Sequence, residues 1–116
     1  MNLKQTRLNK VYINNLEYFS DRRGAVVETF IKKKFNKFQI EFVQDIYSIS
    51  NKNVLRGMHG DNKTWKLISL ILGEAYIIIA NNDKKSDQYK KWISFHFSSS
   101  NCYQILIPPK FAVGYL

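Results

Sequence analysis

Arg56, His59 and Lys66 bring three polar side chains of complementary chemistry within eleven residues. They lie in Val54-Leu55-Arg56-Gly57-Met58-His59-Gly60-Asp61 and the Trp65-Lys66-Leu67-Ile68 that follows. An arginine is a permanent cation that grips a phosphate through two parallel donors. A neutral histidine takes up a proton near pH 7. A lysine neutralises negative charge that develops on a substrate oxygen. Together they suit a site that holds an anionic ligand and moves protons on it. Taken singly, each has a plainer reading. A histidine in a β protein is more often structural or exposed than catalytic, and a single lysine is usually solvated.

The elements that must position these residues read as strands. Val11 to Ile13 is a first short strand after a polar, extended or frayed start, closed by Asn14-Asn15. Asp21-Arg22-Arg23-Gly24 is a turn, and Ala25 to Phe30 is a strand or the run into a helix. Ile31, Phe35 and Phe38 recur at helical spacing among Lys32, Lys33, Lys34 and Lys37, which predicts one short amphipathic helix over Glu28 to Phe38. From Gln39 a β-prone run through Ile40, Phe42, Ile46 and Tyr47 continues to Ile49. Val54 to His59 is the next strand. Leu67 to Ala80 reads as two buried strands joined by a tight turn at Gly73-Glu74. Tyr89 to Phe97, Tyr103 to Ile107 and Phe111 to Leu116 complete the set. The expected fold is all-β, an antiparallel sandwich or barrel with one short N-terminal helix, in a single domain over 1–116. The last strand ends on an apolar residue, so the β architecture is expected to be incomplete at its C-terminal end.

Composition narrows the partners. The chain of 116 residues has net charge +9, from 18 basic and 9 acidic residues. The excess is nearly all lysine spread along the chain, whereas specific groove readers lean on arginine, so no nucleic-acid partner is expected. No stretch is long and apolar enough to span a bilayer, and the N-terminus is no signal peptide. No membrane partner and a cytoplasmic location are therefore expected. The single cysteine, Cys102, allows no intrachain disulfide and no cysteine-based zinc cluster. His59 and His96 are the only histidines and form no His-x-His pair, too few for a metal cupin.

Six motifs then fall in order along one chain. They are Phe19-x-Asp21-x-Arg23-Gly24-x-x-x-Glu28-x-Phe30, Phe42-Val43-Gln44-Asp45, Ser48-x-Ser50, Leu55-Arg56-Gly57-x-His59, Lys66-Leu67, and Ile107-Pro108-x-x-Phe111-Ala112-x-Gly114. In this register the chain resembles the nucleotide-sugar 3,5-epimerases of the dTDP-4-dehydrorhamnose 3,5-epimerase family. The resemblance implies a cupin-type jelly roll that needs no metal or other cofactor and assembles as a homodimer. It implies proton abstraction beside the ketone of a nucleotide-diphospho-4-keto-6-deoxy sugar. His59 matches the catalytic base. Arg56, Lys66 and Gln44 match residues that contact the substrate, Lys66 being suited to the developing enolate. Arg23 and Glu28 match nucleotide-binding positions that reach the neighbouring subunit's site.

Some positions depart from the family pattern. Gly60-Asp61 follows His59 where Tyr-Gln is common, a variant similar to epimerases of other nucleotide sugars, GDP-linked ones included, so dTDP- and GDP-linked substrates both stay open. Val113 stands where the family has histidine. The family's general-acid tyrosine lies in later strands than these. The alternative reading is a truncated, catalytically impaired cupin that binds a nucleotide sugar or pairs with a full-length relative.

Overall fold

The computed structural model describes residues 2–101 and 103–116. Among them are ten strands: β1 Asn2–Gln5, β2 Tyr12–Asn15, β3 Tyr18–Asp21, β4 Gly24–Val27, β5 Arg56–His59, β6 Lys66–Ser69, β7 Glu74–Asn81, β8 Trp92–Ser98, β9 Tyr103–Ile107 and β10 Phe111–Tyr115. A 3-10 helix spans Lys32–Phe38. One sheet has the order β1-β2-β9-β6, a second has β5-β10-β7-β8, and the hairpin β3-β4 stands as a third. All pairings are antiparallel. Cys102 lies outside the described residues.

The two four-stranded sheets stack face to face because each presents one apolar face. Ile77 and Ile79 of β7, Val113 of β10 and Phe97 of β8 meet Ile105 and Ile107 of β9 in one buried cluster. Side chains alternate across a strand and register partners share a face. The outer face of the second sheet therefore carries Tyr76 and His96, which are register partners and exposed. His96 Nε2 lies 3.3 Å from Glu74 Oε2 there, both side chains exposed.

The outer face of the first sheet is covered instead of wet. Leu106 is fully buried although its neighbours Ile105 and Ile107 point the other way. Its cover is an aromatic cluster: Phe38 packs on Tyr12 and Trp65, and Phe35 packs on Phe30 and Phe42. Below it runs a polar ladder across three strands. Asn14 and Ser69 are the register partners of Gln104. The Asn14 amide donates to Gln104 Oε1 at 2.9 Å, and Gln104 Nε2 donates to Ser69 Oγ at 2.9 Å and to the Thr29 carbonyl.

Four expectations need correction. Asn14-Asn15 does not follow the first strand but lies inside β2, whereas the N-terminal residues 2–5 are extended, as one of the two expected states, and pair with it as β1. The helix over Glu28 to Phe38 is a shorter 3-10 helix, Lys32–Phe38. Its N-cap, Ile31, offers no side-chain acceptor and its first turn has no acid, so nothing satisfies the leading N–H groups of a full α-helix. The β-prone run from Gln39 to Ile49 forms no strand. Ile46 and Ile49 are 75% and 81% exposed, and propensity without an adjacent sheet edge does not make a strand. Finally, Leu67 to Ala80 is no hairpin. β6 belongs to the first sheet and β7 to the second, and Ile71 and Leu72 between them are exposed.

Candidate active site

β5 carries Arg56 and His59, three apart, a spacing that sends side chains to opposite faces of a regular strand. Here the ladder with β10 shifts: His59 pairs with Val113, whereas Arg56 pairs with Tyr115. Gly57 and Met58 of β5 thus oppose the single Gly114 of β10, a bulge that returns Arg56 to the face His59 occupies. That face is the inner one, because Val113 is 3% exposed in the core. The glycines of the motif permit the approach. Gly57 has φ of +110°, and a Cβ there would lie 2.5 Å from the Val113 carbonyl oxygen. A Cβ on Gly60 would collide with the Phe111 carbonyl oxygen.

Lys66 comes from the facing sheet. It is the register partner of Ile107, a core residue, so it too points into the space between the sheets. Lys66 is half-buried, whereas Arg56 and His59 are exposed. Arg56 and His59 thus lie on the inward face of one sheet and Lys66 on the inward face of the other. Arg56 Nε donates to Ser50 Oγ at 2.8 Å and its Nη2 to the Ile49 carbonyl at 3.3 Å. The rest of the guanidinium fork is left for an anion.

The β5–β6 connection is built by Asp61. Its carboxylate accepts from the backbone N–H of Lys63 at 2.9 Å, from that of Thr64 at 2.6 Å and from the Thr64 hydroxyl at 2.7 Å. Its carbonyl accepts the Lys110 N–H at 2.8 Å, which ties the loop to the β9–β10 turn. The Thr64 hydroxyl, then the two backbone donors and more weakly the Lys66 charge hold the Asp61 carboxyl down at about 2. The sequence left Asp61 without a role, although Asp-x-x-Thr is a turn-capping pattern. Tyr115 had no role in the sequence either, and Ser48 only a place in the Ser48-x-Ser50 motif. Ser48 Oγ and the Tyr115 hydroxyl are 2.9 Å apart, and no local pattern foretells a contact across that much chain.

The remaining expected residues sit elsewhere. Arg23 lies in the β3–β4 turn, its guanidinium 2.6 Å from Asp21 Oδ2, both side chains exposed. Glu28 follows β4 and is exposed. Neither belongs to the two sheets that carry Arg56, His59 and Lys66. Gln44 is on the exposed segment between the 3-10 helix and β5.

An antiparallel cupin-like sandwich that presents a histidine and two cations on its inward faces has groups suited to acid–base chemistry on an anionic small molecule. Comparison with known proteins makes the class specific. The dTDP-4-dehydrorhamnose 3,5-epimerase family model matches residues 5–116, and the chain belongs to that family. The dTDP-4-dehydrorhamnose 3,5-epimerase of Shigella flexneri is 35% identical over 121 residues, covering 99% of this chain and 67% of its own. The Salmonella typhimurium enzyme of the same name is 33% identical, covering 97% and 64%. The chain spans about two thirds of the length of these curated relatives. Among solved structures, the dTDP-6-deoxy-D-glucose-3,5-epimerase of Legionella pneumophila in complex with dTDP-4-keto-L-rhamnose superposes with a TM-score of 0.91 at 31% identity. It covers 98% of this chain and 63% of that one. The Bacillus anthracis dTDP-4-dehydrorhamnose 3,5-epimerase, with TDP and pyrophosphate bound, matches at 0.86 and 30%, covering 98% and 70%.

Proposed function

We propose that this chain provides the base-bearing part of a 3,5-epimerase acting on a dTDP-linked 4-keto-6-deoxy sugar. The observation that carries the proposal is the bulged β5, which sets His59 and Arg56 on one inner face opposite Lys66. A ketone at C4 acidifies the C–H bonds at C3 and C5, and removing either proton places negative charge on the ketone oxygen. His59 takes the proton, and Lys66 stabilises the enolate. Arg56 holds the diphosphate, with Gln44 against the sugar, so that the reacting carbon lies beside the imidazole. Inversion requires a proton returned to the opposite face, a task the family assigns to a tyrosine of its later strands.

The named relatives act on dTDP sugars, which supports thymidine over the GDP-linked alternative. The family's homodimer is supported by the β3–β4 hairpin, which exposes Phe19 and Val26 together with Arg23. In that assembly Arg23 and Glu28 reach a nucleotide in the neighbouring subunit. No helix among the described residues is long and apolar enough to cross a membrane, which is consistent with a cytoplasmic enzyme.

The test is solvent exchange. Incubated in D₂O with dTDP-4-keto-6-deoxyglucose, the protein is expected to place deuterium at C3 or C5. His59→Asn lowers that rate by about 10²–10⁴-fold while dTDP affinity stays unchanged. A wild-type protein that exchanges neither position removes the proposal.

A further inference from the structure

The segment between the 3-10 helix and β5 forms no strand, and it carries Gln44. Two anchors flank that residue. On the N-terminal side Phe42 packs edge-on against Phe30 and Phe35. On the C-terminal side Ser48 meets the Tyr115 hydroxyl at 2.9 Å, and Ser50 accepts from Arg56 at 2.8 Å. Tyr115 is itself rigidly placed. Its Cα pairs with Ile77 on one side and Arg56 on the other, and the next residue, Leu116, exchanges both backbone hydrogen bonds with Tyr76.

We propose that Tyr115 and Ser48 form a latch that holds residues 43–50 against β10 and thereby fixes Gln44 and Arg56 for ligand binding. The phenol does so through its hydroxyl, on the inner face shared with Arg56 and His59. Without the latch, Ser50 and Ile49 lose their tether to β10, and Arg56 loses the partners that hold its guanidinium in place. Tyr115 is a positioning residue in this scheme: it acts through the segment and not on the reacting carbon. The functional half of the inference rests on the proposed epimerase reading, and the structural half does not.

The variants are Tyr115→Phe, which keeps the ring and removes the hydroxyl, Ser48→Ala, which changes an exposed residue, and the double variant. Backbone hydrogen exchange over residues 43–51, measured without ligand, reads the latch directly. Each single variant is expected to raise exchange there by about 3–10-fold, the scale of one lost hydrogen bond, with the core strands β7 and β9 unchanged. The double variant is expected to match the singles, because both remove the same contact. Calorimetric titration with dTDP reads the consequence, a similar fold-loss of affinity that is again not additive. Unchanged exchange in both single variants, or additive effects in the double, overturns the latch. If exchange rises as expected and wild-type protein binds no dTDP, the latch stands and the epimerase reading fails.

Discussion

His59 and Lys66 belong to strands of different sheets, and each is directed inward by a fully or nearly buried partner, Val113 and Ile107. The loop that joins their strands hangs on a single carboxylate, Asp61. Its pKa lies at about 2 instead of 3.8. A carboxyl depressed in this way contributes its hydrogen bonds fully above the ordinary value and loses them as pH falls through the depressed one. The loop is therefore expected to be intact at pH 5 and above and to open between about pH 4 and 2. The ¹³C shift of the Asp61 carboxyl, followed by NMR, should titrate near 2, with exchange of the Lys63 and Thr64 amides rising in step. Asp61→Asn should release the same two amides at neutral pH, because an amide oxygen is the weaker acceptor. A titration near 3.8 would show that the loop does not depend on the charge.

At the scale of elements, the ladder Asn14–Gln104–Ser69 is what lets a β-sheet bury a polar row. Gln104 is 1% exposed and Asn14 is fully buried, with Asn14 Oδ1 unpaired. Gln104→Ala would strand the Asn14 amide and the Thr29 carbonyl as well. It is expected to cost about 2–4 kcal/mol, combining lost packing with unmade hydrogen bonds. Urea unfolding would show it as a lower midpoint at unchanged slope. Strands with an apolar row were legible in the sequence, β7 and β9 above all, because alternation and turn residues mark them locally. The residues from Gln39 to Ile49 were not. Their composition favours a strand, but strand formation needs a free edge at hydrogen-bonding distance, and this segment joins none of the three sheets.

The whole molecule leaves apolar surface that this chain does not cover. Phe19 and Val26 of the hairpin are 54% and 67% exposed, and Val43, Ile46 and Ile49 are more so. The proposed homodimer would cover part of this surface. It is expected to run in sedimentation equilibrium at about twice the 13.7 kDa chain mass. Phe19→Asp should shift it toward monomer and weaken dTDP binding together, because the hairpin also carries Arg23. A monomer with unimpaired dTDP affinity would separate the hairpin from the site.

The sequence by itself determined the chemistry on offer: an imidazole, two cations and the glycines that bracket them, in an order that marks the family. It also determined the all-β class, since alternation and turn residues are local signals. Only the tertiary structure decided which faces these groups occupy. Arg56 and His59 share a face through a register shift against β10, and Lys66 arrives from another sheet. Both facts depend on which strand lies beside which, a choice made by burial of the whole inner surface and written in no short stretch of residues.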